Sequence, residues 1–210
     1  RDPATGAWAA PATSPLTDPA DVAVTDLAVF GGRLYAGGLN LHVTTDPTTG
    51  VQTRSSVGGA LVRSADGSTW ESVADRGFGS RDQAAIGPLH EFKGMLLAGT
   101  TSIKDTRGAE VWRSTTGDRG SWVRGADNGW DDPTNVAIGS MGVFTNALYV
   151  GTCNRSGGGQ IWRTNNGITW AASGTGGTGP IDSRGPACVS ALTEFDGYLY
   201  AALGNDSRLA

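Results

Sequence analysis

Lysine is nearly missing from this chain: Lys93 and Lys104 stand against 14 arginines. Charged residues are 17% of the 210, below the usual ~25%, which excludes a coiled coil or a highly charged disordered chain. The net charge of −4 leaves no electrostatic footprint for nucleic acid. No apolar run approaches the ~18 residues of a membrane span. The two histidines, His42 and His90, are isolated and lack HxH or HExxH spacing, so no zinc site is expected. Two cysteines allow one disulfide and exclude a Cys-rich metal centre. No phosphate loop opens a helix, and no GxSxG elbow is present. The chain starts at Arg1 without an initiator Met, a charged n-region or an apolar h-region. The expectation is a removed leader or a start inside a longer protein.

What is abundant is glycine, 33 residues, about 16% against a usual ~7%. Seven Trp and 38% hydrophobic residues can build a core. Richness in Gly, Thr, Ser and Asn with little charge reads as a secreted, extracellular all-β protein. Asn154-Arg155-Ser156 and Asn205-Asp206-Ser207 match the glycosylation sequon of a eukaryotic secretory host.

The chain repeats itself, and internal repeats decide the fold. Four segments align on Phe30, Phe92, Phe144 and Phe195, spaced 62, 52 and 51 residues apart. The longer first gap holds an insertion, roughly Leu41 to Gly59. A second set of motifs alternates with the first: RDPATGAW, RSADGSTW, RSTTGDRGSW and RTNNGITW, led by Arg1, Arg63, Arg113 and Arg163. Seven positions before each Phe stands a small residue: Ala23, Ala85, Ala137, Cys188. Fourteen before stands an apolar one: Leu16, Phe78, Trp130, Ile181. Each unit reads as four short strands, with Gly31-Gly32, Lys93-Gly94, Thr145-Asn146 and Asp196-Gly197 as hairpin turns.

Four-stranded units of ~40–50 residues predict a β-propeller, in one domain covering 1–210. The blades fall at 16–78, 79–130 and 131–180. The fourth is split between the termini, with 181–210 as inner strands and 1–15 as outer strands. In this closure Arg1–Trp8 pairs with the sheet containing Leu192–Leu203. The alternative is a fragment or half of a larger propeller, completed by a dimer or a larger ring.

The hairpins of strands three and four resemble the Asp-box (BNR) repeat of sialidase-like propellers. Ser64, Asp66, Gly67, Thr69 and Trp70 match that pattern, and Thr164, Asn166, Gly167, Thr169 and Trp170 match with Asn for Asp. The hairpins are one residue shorter than the usual spacing, and the Arg113 unit lacks the Asp. The Asp2–Trp8 segment is similar to a kelch-type turn. The resemblance implies a propeller fold, in which these hairpins are structural and lie away from the active-site face. A sialidase also needs three arginines on its substrate carboxylate, a Tyr–Glu pair and an acidic Asp. The family's Arg-Ile-Pro motif is absent. Arg63, Arg113 and Arg163, and likewise Tyr35, Tyr149 and Tyr200, are repeat positions explained by packing. Glu91 and Glu194 share one repeat position and read as solvated strand-edge residues rather than the paired carboxylates of a glycosidase.

Binding is expected on the face carrying the loops from strand four to the next strand one. Candidates there are Phe78, Arg81, Trp130, Asp131, Asp132, Asp182 and Arg184, an aromatic and carboxylate set suited to hydroxyl-rich ligands. The competing reading has Leu16, Phe78, Trp130 and Ile181 plug the seams between blades. Asp21, Gln83 and Asn135 share one repeat position and are candidates for an axial calcium ion; no other cofactor is expected. Cys153 ends strand two of one unit and Cys188 begins strand one of the next, so a disulfide between them is expected. The functional expectation is a non-catalytic secreted module binding glycan or extracellular protein. The alternatives are a sialidase-like glycoside hydrolase propeller, or a fragment of one, and a structural surface or adhesion repeat.

Overall fold

A computed structural model describes residues 5–8, 10–104, 106–173 and 187–205. It is all-β and built from repeated antiparallel meanders. The first unit comprises β1 (Asp21–Phe30), β2 (Arg33–Asn40), β5 (Leu61–Ser64) and β6 (Glu71–Ser72), with an inserted exposed hairpin of β3 (His42–Thr45) and β4 (Gln52–Ser55). The second is β7 (Gln83–Phe92), β8 (Met95–Ser102), β9 (Val111–Ser114) and β10 (Val123–Ala126). The third is β11 (Asn135–Phe144), β12 (Ala147–Asn154), β13 (Ile161–Thr164) and β14 (Ala171–Ala172). The fourth consists of β15 (Ala187–Phe195) and β16 (Tyr198–Asn205).

The turns explain the hairpins. Both central residues have positive φ in all four inner hairpins: Gly31 and Gly32, Lys93 and Gly94, Thr145 and Asn146, Asp196 and Gly197. That is the twist-matched geometry of a two-residue connection. The outer hairpins are held by side chains. Ser64 Oγ accepts the N–H of Gly67 at 2.8 Å, and Asp66 Oδ1 accepts those of Ser68 and Thr69 at 2.8 Å. Thr164 and Asn166 repeat this with Gly167, Ile168 and Thr169. The backbone N–H groups of Thr69 and Ser68 hold the Asp66 carboxyl well below the usual range.

The units join through one or two residue pairs each: Leu39–Ala85, Thr101–Ala137, and Cys153–Cys188 with Asn154–Ala187. These short bridges at equivalent positions connect 14 strands into one sheet. The third bridge is covalent, a Cys153–Cys188 disulfide with Cα atoms 3.9 Å apart. The core lies between units. Phe30, Tyr35, Leu61 and Val73 of the first pack on Ile86, Leu89 and Leu96 of the second. Phe92, Leu97 and Val111 of the second pack on Ile138, Met141 and Leu148 of the third. The close approach requires glycine at one position. A Cβ at Gly37 would lie 2.0 Å from the Ile86 carbonyl, at Gly99 2.6 Å from Ile138, and at Gly151 2.5 Å from Val189.

The expected closure by the N-terminal segment is not what the described residues do. Residues 5–8 form no strand, Trp8 is 84% exposed, and β16 pairs with β15 alone. The physical reason lies just downstream: Thr13 N–H donates to the Ser68 carbonyl at 3.1 Å, and Ala12 N–H to Ser68 Oγ at 3.3 Å. The segment is thereby tied to the outer hairpin of the first unit. Arg1–Ala4 lie outside the described residues.

Candidate functional site

Each inner strand carries a bulge at the same place. Register slips between Val24 and Asp26, Ile86 and Leu89, Ile138 and Ser140, and Val189 and Ala191. A bulge unpairs a residue and re-aims its side chain. Here the four bulges border one cavity of about 470 Å3, lined by Thr25, Asp26, Gly87, Pro88, Gly139, Ser140, Ser190 and neighbouring residues. Its size falls within the ~300–1,000 Å3 of ligand pockets.

The bulged residues also stitch one unit to the next. Thr25 Oγ1 donates to the Ile86 carbonyl. Asp26 Oδ2 accepts the Leu89 N–H at 2.7 Å, and Oδ1 accepts its neighbour Leu27 at 2.8 Å. Ser140 Oγ donates to the Val189 carbonyl at 2.8 Å. Asp26 is therefore a half-buried carboxylate fixed by two backbone donors. His90 is half-buried on the next inner strand; burial lowers its pKa, partly offset by the attraction of Asp26 and Glu91. Its imidazole is neutral at pH 7. The chemistry on offer is acceptance of hydrogen bonds from hydroxyls: the Thr25, Ser140 and Ser190 protons go to the carbonyls of Ile86, Val189 and Ala202, which leaves their oxygens, with the Asp26 carboxylate, as acceptors.

The residues expected to bind lie elsewhere. Phe78 and Trp130 occupy successive seams rather than one site. Phe78 stacks on Trp112 with ring centres 4.6 Å apart, and Trp130 on Trp162 at 4.9 Å. Both have positive φ, within the short turns Arg76–Gly79 and Asn128–Asp131. Arg81 and Asp131 are exposed, whereas Asp132 is engaged, its Oδ2 accepting from Asn154 at 2.9 Å and Gln160 at 3.1 Å. Asp182 and Arg184, with Ile181, lie outside the described residues.

Asp21, Gln83 and Asn135 are not brought together by any hydrogen bond; each binds its own surroundings. Asp21 takes two 2.8 Å bonds from Arg76 and one of 2.9 Å from Asn40. Burial pushes its pKa up, but Arg76, Asn40 and the Asp18 backbone outweigh it and bring it down to about 2. Gln83 Nε2 donates to the Gly108 carbonyl at 3.0 Å, and its Oε1 accepts from Thr100 at 2.7 Å. Asn135 bonds Gly129 and Gln160 through Nδ2 and Thr152 and Asn154 through Oδ1. Among the described residues no group of three or more His, Cys, Asp or Glu could hold a metal ion.

Sequence reasoning missed Thr25, Asp26, Ser140 and Ser190. The signal was available at the fifth and fourth positions before each anchoring Phe. Thr-Asp, Gly-Pro, Gly-Ser and Ser-Ala stand there, small or polar residues interrupting the apolar strand.

No protein-family model matches the chain, and neither does any curated protein. Solved structures do. A proposed glycosidase from Bacteroides thetaiotaomicron is similar with a TM-score of 0.54 at 8% identity, covering 87% of this chain and 61% of that one. A glycosyl hydrolase from Bacteroides ovatus gives 0.51 at 9% identity, covering 84% and 57%. The GH43 endo-arabinanase of Bacillus licheniformis gives 0.51 at 14%, covering 91% and 68%. The likeness is one of fold alone: an all-β, propeller-like architecture. The chain spans about three fifths of the length of the two Bacteroides proteins.

Proposed function

We propose that the chain is a glycan-engaging, propeller-like module whose ligand enters the axial cavity. The observation that carries this reading is the set of four matched bulges, which turn Thr25, Asp26, Ser140 and Ser190 toward one hollow. A carboxylate flanked by hydroxyls suits a hydroxyl-rich ligand, and the fold neighbours are carbohydrate-active. The serine and threonine turns of the outer hairpins support an Asp-box relationship. The Cys153–Cys188 bridge supports a secreted protein, since disulfides persist in oxidising compartments.

The second reading is hydrolysis, favoured by the glycosidase neighbours. Two-carboxylate chemistry would need a partner ~5–10 Å from Asp26. The positions matched to Asp26 in the other units carry Pro88, Ser140 and Ala191. Binding is therefore the main reading and hydrolysis the alternative. A glycan array run with wild type and Asp26→Ala, alongside 4-nitrophenyl glycosides, tests both. Retention of a glycan by wild type, lost in Asp26→Ala, is the expected result. Turnover of a glycoside that disappears in the same variant would replace the binding reading with the hydrolytic one.

A further inference from the structure

A second hollow lies at the seam between the first and second units, away from the axial cavity. Its volume is about 320 Å3, and Ala74, Asp75, Phe78, Trp112, Arg119 and Trp122 line it. Phe78 and Trp112 stack within 11° of parallel, and Trp122 tilts 53° against Phe78 at 5.5 Å. Both indole N–H groups are used internally. Trp122 donates to the Val73 carbonyl at 3.1 Å and Trp112 to Glu110 at 2.8 Å. The rings are thus locked, and what they give the hollow is apolar surface. At the rim, Arg119 is hydrogen-bonded to the exposed Asp75 carboxylate. Phe78 is held at φ 51°, as Trp130 is at φ 59° in the next seam, so the turn fixes the ring's place at both seams.

We propose that this seam is a stacking subsite for a neutral pyranose ring, separate from the axial site. A flat C–H face of a sugar lies well on locked aromatic rings, and Asp75 and Arg119 offer an acceptor beside donors for adjacent hydroxyls. Because the two rim charges neutralise each other, a neutral sugar fits better than an anionic one. The next seam repeats the aromatics but not the rim. Trp130 stacks on Trp162 and meets Trp170 edge-on, but Asp127, the counterpart of Asp75, faces Arg124 of its own unit at 3.4 Å. The subsite therefore belongs to the first of these two seams.

The test is a tryptophan-fluorescence titration of the full chain with cellotetraose, whose equatorial hydroxyls leave both ring faces apolar. The expected result is saturable binding, weakened about tenfold or more in Asp75→Ala and Arg119→Ala and unchanged in Asp127→Ala, the exposed counterpart of Asp75 in the next seam. Both rim residues are exposed, so these variants keep the wild-type melting temperature. No saturation by about 10 mM cellotetraose, where even millimolar affinity would register, overturns the proposal. So does wild-type affinity in the two rim variants, or an equal loss produced by Asp127→Ala. Tighter binding of N-acetylneuraminic acid than of cellotetraose overturns its neutral-sugar half.

Discussion

The same pair of rings is buried in the first unit and bare in the fourth. Phe30 and Tyr35 sit 6.2 Å apart at 60°, and Phe195 and Tyr200 sit 6.2 Å apart at 58°. Phe30 is 8% exposed and Phe195 69%. The inner strands show the converse at the other end: Leu27 of β1 is 55% exposed, whereas its counterpart Leu89 of β7 is 5%. Local geometry is thus written into each repeat, whereas burial comes from the neighbouring repeat. Stability then resides in the interfaces between units, as in other nearest-neighbour repeat folds. Glycine carries the same lesson. Gly37, Gly99 and Gly151 admit the next inner strand, but the fourth unit has Ala202 at that position, and it is exposed. The face of β16 does not carry the notch that the three internal interfaces use.

The largest expected effect breaks this comparison directly. Phe92→Ala, in the core between the second and third units, should cost about 3–5 kcal/mol in denaturant unfolding. Phe195→Ala should cost less than about 1 kcal/mol. Equal losses would mean that the fourth unit is covered in solution.

Next in size is the ion pair of the first seam. Arg76→Met strands the Asp21 carboxylate and should cost about 2–3 kcal/mol at pH 7, below the 3–5 of a fully buried pair because Arg76 is partly exposed. Asp21 has a folded pKa of about 2 against 3.8 when free. Its contribution is fully present above 3.8 and is lost as pH falls through that range toward 2. The variant should therefore flatten the acid limb of stability between pH 4 and 2, measured by urea midpoints.

Gly99→Ala sets a methyl against Ile138 and should cost about 1–3 kcal/mol. Ala202→Gly should cost at most about 1 kcal/mol, through strand entropy alone. Calorimetric melting of both variants sharpens the contrast between notched and unnotched faces.

The smallest effect concerns His90. Burial lowers its folded pKa below 6.5, so below pH 6.5 the unfolded state binds the proton more readily than the folded one. Stability should decline from about pH 6.5 downward until the folded pKa is passed, and His90→Asn should remove that component. Urea midpoints at pH 7.5 and 5.5 check it; an unchanged slope in the variant would contradict the assignment.

Much of the fold was legible because Phe anchors, turn residues and the Arg-to-Trp motifs recur at fixed offsets, and each reports a local conformation. The cavity between the bulges was not legible in the same way. Its residues come one or two per unit, about fifty positions apart, and a bulge breaks the alternation by which strand faces are read. Closure was misread for a related reason. RDPATGAW has the spacing of an outer hairpin, but Thr13 and Ala12 find partners on Ser68 that no spacing announces. Asp21, Gln83 and Asn135 do share a repeat position, and that position serves to tie loops within and between units.

The measurement that tests the central claim most directly is amide chemical-shift mapping with the glycan selected on the array. Shifts are expected to centre on Thr25–Asp26, Gly87, Gly139–Ser140 and Ser190–Ala191, the four bulges around one cavity, and to be lost in Asp26→Ala. Shifts confined to the loop residues Arg81, Asp131 and Asp132, with the bulges silent, would contradict it.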